Sequence, residues 1–202
     1  MAIFPEGAVN GLKAAIDFLK KVDLFNQTIL NQNQPPIRVG IGLHTGEVIM
    51  GVCGGQQSIQ CTVIGDCVNL TARLEGLSSR YKTALVISED LHQDAQSDFD
   101  YDVRELEYVR VKGRSKPILV YEVLDVLPAD QKQRRLQTKT RFQQGLQAMQ
   151  NHLLIEGKNI FEEIVQLDPS DTVASLHLQT LEALLNGEAL IDDQGASILV
   201  EK

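Results

Sequence analysis

Asn69 and Arg73 are the residues of this sequence whose types and spacing point most directly to chemistry. They are four residues apart in a segment with helical periodicity, so both side chains project from one side of the helix. A carboxamide and a guanidinium placed together can donate hydrogen bonds to an anionic ligand, and the planar fork of arginine suits phosphate oxygens. The functional interpretation is that both donors stabilise negative charge that develops in a cleft. A solvated helix face is the alternative interpretation.

Two other charged residues lie at positions where ligand-binding groups occur. Lys112 ends a predicted strand just before the turn at Gly113, although a lysine there is also common in hairpins that bind nothing. Asp66 lies between a predicted strand and a helix, where a carboxylate accepts hydrogen bonds from the free amides of the first turn. We prefer this capping role to metal coordination, because no second carboxylate lies at a spacing that suits a two-metal site.

The elements that position these residues alternate between strands and helices. The stretch CTVIGDCVNLTARLEG, residues 61–76, changes from an apolar strand to a helix at Gly65-Asp66. An amphipathic helix is predicted over 7–29 and a short helix after Ser88 as N-cap. The other predicted strands cover residues 37–44, 47–52, 84–87, 101–112 and 117–124. Hairpins mixed with helices predict an α+β protein whose sheet is mainly antiparallel and covered by helices.

The composition changes after Leu127-Pro128, beyond which no strand signal remains up to about Asn186. We therefore expect residues 1–125 to form one domain and residues 126–202 a helical tail with a disordered end. Two short helices are expected first, and Pro169-Ser170-Asp171 separates them from a third over 172–185. The glycines and the Asp-Pro pair of the tail fall where one tetratricopeptide (TPR)-like repeat places them, while a plain helical extension fits equally well.

Composition narrows the function classes. The net charge of −8 and the sequence pI of about 5.0 argue against nucleic-acid binding, which needs clustered Lys and Arg. No apolar run approaches the roughly 20 residues of a membrane span, and no export signal is recognised, so we expect a cytoplasmic protein without a membrane segment. The three cysteines lack zinc-site or CxxC spacing and are expected to be reduced thiols. His44, at the end of a strand, is expected to be a structural, hydrogen-bonded histidine.

Three segments together carry a family resemblance. RVGIGLHTGEVIMGVCGG, CTVIGDCVNLTARLEGLSSRY and RVKGRSKPILVYEVL, in this order and spacing, resemble the second half of a class III adenylate/guanylate cyclase catalytic domain. The resemblance runs from about Met1 to Leu124. It implies part of a ferredoxin-like nucleotidyl cyclase fold and formation of a cyclic nucleotide from a nucleoside triphosphate.

The resemblance also implies roles for individual residues. Asn69 matches the asparagine that orients the ribose, and Arg73 matches the arginine that stabilises the pentavalent phosphorus. Lys112 matches the lysine that holds the β and γ phosphates. Thr62 lies where the family reads the purine base, and threonine at this position favours ATP. Cys61 stands where the family usually has tyrosine, and Thr71 where alanine is more usual.

The resemblance further implies Mg²⁺ or Mn²⁺ as cofactor and a dimer, homodimeric or heterodimeric, with active sites at its interface. One subunit supplies two metal-binding aspartates, and the other supplies the Asn, Arg and Lys. Met1 corresponds to a position just after the second aspartate, so we expect both carboxylates and a lysine that helps to read adenine to lie upstream of residue 1. We therefore expect residues 1–202 alone to have no measurable cyclase activity.

Several functional hypotheses remain at this stage. The first is a portion of an adenylate cyclase that forms cyclic AMP and pyrophosphate from ATP in intracellular signalling. The alternatives are a guanylate cyclase, a catalytically inactive cyclase-like module for dimerisation or regulation, and a fold remnant without activity. In the first three, the helical tail is a candidate binding site for a protein partner.

Overall fold

The computed structural model describes residues 1–55, 58–109, 117–187, 190–191 and 197–198. The chain divides into a first unit, Met1–Arg80 with Ala84–Asp100, and a second unit, Tyr81–Thr83 with Tyr101–Lys202. Lys112 and the predicted turn at Gly113 lie outside the described residues.

The first unit begins with helix α1 (Ala8–Leu30), which confirms the amphipathic helix expected there. Its buried face is formed by residues spaced three and four apart, among them Leu12, Ile16 and Leu19. Beyond the helix, the side chain of Asn26 binds the backbone of Ile37: Nδ2 donates to the carbonyl oxygen at 2.9 Å and Oδ1 accepts from the amide at 2.8 Å.

Two strand pairs follow in the first unit. Strands β1 (Ile41–Leu43) and β4 (Leu85–Ser88) are parallel, and β2 (Ile49–Gly55) and β3 (Ser58–Ile64) form an antiparallel hairpin. The strand predicted over 37–44 is shorter than expected, and at its expected beginning the side chain of Asn26 occupies the backbone groups of Ile37 that a strand would use.

Two helices complete the first unit, except that Tyr81, the last residue of the first helix, belongs to the second unit. Helix α2 (Asp66–Tyr81) follows β3 after Gly65, and α3 (Glu89–Ala95) follows β4 directly. Ser88 caps α3 as predicted, since its hydroxyl accepts a hydrogen bond from the amide of Leu91 at 3.2 Å.

The second unit contains a β-hairpin and three helices. Strands β5 (Val103–Val109) and β6 (Ile118–Val123) are antiparallel, with an irregular register between Glu105 and Glu107. A 3₁₀ turn at Leu124–Val126 leads to helices α4 (Ala129–Gln150), α5 (Leu154–Leu167) and α6 (Thr172–Leu185). The two short helices predicted before Pro169 are thus a long α4 and a shorter α5, whereas α6 has the predicted bounds.

Aromatic residues form the core of the second unit. The rings of Phe142 on α4 and Phe161 on α5 pack edge to face, with centroids 5.2 Å apart, and both are fully buried. Beyond α6, strands β7 (Leu190–Ile191) and β8 (Ser197–Ile198) are paired. The rest of the end that we expected to be disordered lies outside the described residues. The TPR-like character of the tail stays a prediction.

In the part of the chain that the structure describes, no helix combines the length and the apolar character that a bilayer span requires.

Candidate functional site

Helix α2 carries Asn69 and Arg73, and both residues are exposed. Because both lie within one continuous helix and four residues apart, their side chains leave the same side of α2. The spacing predicted from the sequence is therefore present in the structure as an exposed carboxamide and guanidinium one turn apart.

Strand β3 leads to α2 within two residues, and a short turn fixes the beginning of the helix. Thr62, on β3, is half-buried and lies opposite Gly51 of β2. At the turn, a Cβ on Gly65 would lie 3.0 Å from the carbonyl oxygen of Glu47, so a side chain would crowd the neighbouring backbone. The same carbonyl oxygen accepts a hydrogen bond from the Cys67 thiol at 2.8 Å, which ties the first turn of α2 to the segment before β2.

The helix begins at Asp66 itself, one residue earlier than predicted. Asp66 is therefore a first-turn residue of α2, where a carboxylate is still favoured by the helix dipole, and not the N-cap. Further along, the Thr71 hydroxyl donates to the carbonyl oxygen of Cys67 at 2.7 Å, which satisfies the hydroxyl that replaces the more usual alanine.

Two glycines let α2 approach the segment at β1. A Cβ on Gly42 would lie 2.3 Å from the amide nitrogen of Glu75 and 2.7 Å from the carbonyl carbon of Leu74. A Cβ on Gly40 would lie 2.0 Å from the hydroxyl of Ser78. The helix that presents Asn69 and Arg73 therefore packs directly on the backbone of residues 40–42.

His44 has the structural role expected from the sequence. Its Nδ1 lies 2.8 Å from the hydroxyl of Ser88 and 3.8 Å from a carboxylate oxygen of Asp90. These contacts join the end of β1 to the beginning of α3. Cys67, the cysteine whose side chain the structure describes, is a free thiol.

No metal centre is formed within the described residues, where no group of three or more His, Cys, Asp or Glu side chains is arranged to hold an ion. The described residues therefore provide no metal-binding cluster of this kind. Lys112, the fourth site residue predicted from the sequence, lies outside the described part of the chain.

Sequence reasoning missed a buried charge cluster in the second unit. The cluster joins both strands of the β5–β6 hairpin to α4, α6 and the α5–α6 connection, and its members are Arg104, Glu122, Arg135, Asp168 and Asp171. Arg104 and Glu122 are direct partners in the register of β5 and β6. A cross-strand pair of opposite charges in the predicted hairpin was the available signal for part of the cluster.

The comparison with protein families gives a match that includes the strand, turn and helix with Asn69 and Arg73. The family described as the adenylate and guanylate cyclase catalytic domain matches residues 6–124. The chain belongs to this family. The cyclase-domain match begins just before α1 and ends with the hairpin β5–β6 and the first residue of the 3₁₀ turn.

Individual relatives of the cyclase domain are adenylate cyclases. The terminal-differentiation specific adenylate cyclase of Dictyostelium discoideum is 28% identical over 185 residues, which is 89% of this chain and 9% of the relative. The adenylate cyclase of Anabaena cylindrica is 37% identical over 129 residues, which is 61% of this chain and 26% of the relative. The chain thus spans about a tenth and about a quarter of these relatives.

A solved structure has the same fold. The crystal structure of the adenylyl cyclase CyaB from P. aeruginosa matches with a TM-score of 0.50 and 27% identity, over 57% of this chain and 58% of that one. The chain therefore combines an α+β cyclase fold with additional helices, as the sequence predicted.

Proposed function

We propose that the chain is a portion of an adenylate cyclase, with residues 1–125 as the cyclase domain and residues 126–202 as a helical tail. The observation that carries the proposal is the exposed pair Asn69 and Arg73 on α2, one helical turn apart, in a chain that belongs to the cyclase family. The relatives from Dictyostelium discoideum and Anabaena cylindrica are named adenylate cyclases, which supports ATP as the substrate. We further propose a cytoplasmic location, where ATP is available to the reaction.

In this proposal the ribose 3′-oxygen of ATP attacks the α-phosphorus, a new P–O bond forms, and pyrophosphate leaves. Asn69 orients the ribose, and Arg73 neutralises the negative charge that develops on the α-phosphoryl oxygens. Thr62 contacts the adenine and Lys112 the β and γ phosphates. The Mg²⁺ or Mn²⁺ on which the family depends would be held by carboxylates of the second cyclase domain.

The exposed hairpin β2–β3 supports a dimer as the working unit. It is two-stranded in the described structure and presents large apolar side chains: Ile49, Met50, Val52 and Ile64 are 73%, 66%, 67% and 60% exposed. A two-stranded ribbon with apolar residues on both faces is marginal alone in water, so a protein surface that covers it would stabilise it. We propose that a second cyclase domain covers this hairpin and supplies the metal-binding aspartates.

The test is complementation of a defective cyclase. Residues 1–202 are mixed with an intact cyclase domain in which the counterpart of Arg73 has been replaced, and cyclic AMP is measured with Mg²⁺ or Mn²⁺. We expect no activity from either protein alone and activity from the mixture. Arg73→Ala in this chain should lower the restored rate by about 100-fold or more, which is the scale for losing a charge-stabilising donor.

Arg80→Ala is the matched control, because Arg80 lies on the same helix seven residues further on. It should leave the restored rate within a few fold. Heterodimers that form but produce no cyclic AMP would overturn the proposal. If the same mixture converts GTP faster than ATP, the chain is instead a portion of a guanylate cyclase.

Nucleotide binding distinguishes the proposed function from the alternative, a catalytically inactive regulatory module. Isothermal titration of the mixture with a non-hydrolysable ATP analogue should show a site that Asn69→Ala and Arg73→Ala weaken. A dimer that forms without nucleotide binding would favour a catalytically inactive module.

A further inference from the structure

Arg104 on β5 is 0% exposed and binds carboxylates from two other elements. Its Nε and Nη2 donate to Oε2 of Glu122 on β6, at 3.2 and 2.6 Å. Its Nη1 donates to Oδ2 of Asp171, and Nη2 donates to Oδ1 of the same residue at 3.2 Å. The guanidinium also lies over the ring of Phe142 on α4, 4.3 Å from its centre. One side chain thus joins both strands of the hairpin to the tail helices.

Asp171 has two roles in this arrangement. It is the N-cap of α6, where Oδ1 accepts a hydrogen bond from the amide of Ala174 at 2.9 Å, and it is also the second carboxylate on Arg104. Since one carboxylate does both, α6 begins at the place where the charge of Arg104 is neutralised.

A second arginine completes the charge cluster. Arg135 on α4 donates to Asp168, and its Nη2 donates to the carbonyl oxygen of Ser170 at 2.8 Å. Its Nε lies 3.5 Å from Oδ2 of Asp171. The connection between α5 and α6 is therefore held by α4 on one side and by the hairpin on the other.

Two uncharged contacts also join α6 to the cyclase segments of the second unit. The register irregularity in β5 leaves the carbonyl oxygen of Leu106 outside the strand pairing, and Nε2 of His177 donates to it at 3.0 Å. The hydroxyl of Thr172 donates to the carbonyl oxygen of Tyr81 at 2.9 Å. Both contacts come from the first two turns of α6.

The hydrogen bonding of the buried Arg104 requires the tail, because its Nη1 donates to Asp171. Burial would lower the pKa of Arg104, but the carboxylates of Glu122 and Asp171 raise it above its ordinary value, so the guanidinium stays charged. The hairpin supplies Glu122 alone, and the tail supplies Asp171. A buried charge that loses a partner is strongly destabilising, so the hairpin depends on α6 to keep Arg104 in place.

One relative shares the tail as well as the cyclase domain. The match to the Dictyostelium discoideum cyclase covers 89% of this chain, which leaves about a tenth of it unmatched. That match must therefore include more than half of the segment from α4 to α6, because this segment spans residues 129–185, more than a quarter of the chain.

We propose that α4–α6 are a brace for the β5–β6 hairpin and that Arg104 is the positioning residue through which the brace acts. The hairpin strands flank residues 110–116, which include Lys112. Resting on the proposed function, the brace sets the triphosphate affinity by holding the two strands on either side of this connection.

Hydrogen exchange of the full chain in increasing urea tests the brace without nucleotide. The amides of β5, β6 and α6 should lose protection together, as one cooperative unit. Asp171→Asn keeps an N-cap acceptor but removes the charge, and it should raise exchange in β5 and β6 by about tenfold or more. Arg141→Met, which removes the exposed ion pair of Arg141 with Glu163 in the same helices, should leave the hairpin unchanged.

Two results would overturn the brace: α6 opening at low urea while the hairpin stays protected, or an Asp171→Asn effect confined to the first turn of α6. The urea dependence of the unaltered chain decides the question if a variant does not fold. Arg104→Lys, which keeps the charge but loses the two-pronged contacts, should give an effect between those of the unaltered chain and Asp171→Asn.

Nucleotide binding tests the positioning role. In the mixture with the partner cyclase domain, Asp171→Asn should lower the affinity for a non-hydrolysable ATP analogue by about tenfold and leave the affinity for AMP unchanged, because only the triphosphate end depends on the hairpin. An equal loss of affinity for both ligands would show that Arg104 acts only through general stability, and it would overturn the positioning role. Failure of the mixture with the unaltered chain to bind either ligand would contradict the proposed function, while the exchange experiment would still judge the brace.

Discussion

Because Gly42 has no Cβ, α2 can pack closely on β1. In the Gly42→Ala variant the new carbon would meet backbone atoms of Leu74 and Glu75 at 2.3 to 2.7 Å, and backbone atoms cannot rotate away. We expect the free energy of unfolding to fall by about 1–3 kcal/mol, the range for overpacking a filled site. Urea unfolding followed by far-UV circular dichroism measures this change.

Gly76→Ala is the matched control on the same helix. Its Cβ would meet nothing within 4 Å, and replacing an exposed helical glycine by alanine should stabilise the chain by about 0.5–1 kcal/mol. The two variants are thus expected to move stability in opposite directions. Equal stability of the two would contradict the close packing of α2 on β1.

At the residue scale, sequence reasoning succeeded where the signal was local. The pair Asn69 and Arg73 depends only on spacing within one helix, and α2 confirms that spacing. The partner of Arg104 could not be predicted, because Asp171 is 67 residues away and nothing in the local pattern of either residue names the other. The functional roles of Thr62, Asn69, Arg73 and Lys112 stay predictions.

At the scale of elements, α4 and α5 cross where a glycine faces a phenylalanine. A Cβ on Gly145 would lie 2.8 and 2.9 Å from ring atoms of Phe161, which is fully buried and has no room to move. For Gly145→Ala we expect a net loss of about 1 kcal/mol in unfolding free energy, since the clash exceeds the gain in helix propensity.

Gly157→Ala, on the other helix of this pair, supplies the comparison. Its Cβ would make ordinary contacts of 3.5 to 3.6 Å with Leu181 and Met149, so the gain in helix propensity should dominate. We expect this variant to be about 0.5–1 kcal/mol more stable than the unaltered chain in the same urea titration. If alanine is tolerated equally at 145 and 157, the α4–α5 crossing is looser than described.

Element boundaries were predicted well where capping residues mark them. Ser88 and Asp171 cap α3 and α6, and both helices begin where the sequence indicated. The strand expected over 37–44 is formed only at Ile41–Leu43, and at its expected beginning a side chain eleven residues earlier, Asn26, binds the backbone of Ile37. A tertiary hydrogen bond of this kind leaves no periodic signal in the sequence.

At the scale of the whole molecule, the exposed hairpin β2–β3 predicts association. Met50 and Val52 lie on one face of β2, and replacing both by lysine should shift the chain from dimer to monomer in analytical ultracentrifugation. The melting temperature of the variant should become independent of protein concentration, because the variant no longer gains stability from association.

Leu167→Lys is the control for this prediction. Leu167 ends α5 and is 71% exposed, so it tests whether any added lysine in place of an exposed apolar residue disperses the dimer. We expect it to leave the sedimentation unchanged. A monomeric unaltered chain, or a dimer that survives both hairpin lysines, would contradict the association surface.

The distance along the chain between Arg104 and Asp171 has a consequence for biosynthesis. Ribosomes add about 5–20 residues per second, so Asp171 is made roughly 3–13 seconds after Arg104. During that interval the nascent hairpin carries a guanidinium that has only Glu122 to neutralise it, and the burial of Arg104 waits for the capped end of α6. Folding of the second unit in the cell is therefore expected to follow translation of the tail, with the cyclase hairpin completed last although it is synthesised first.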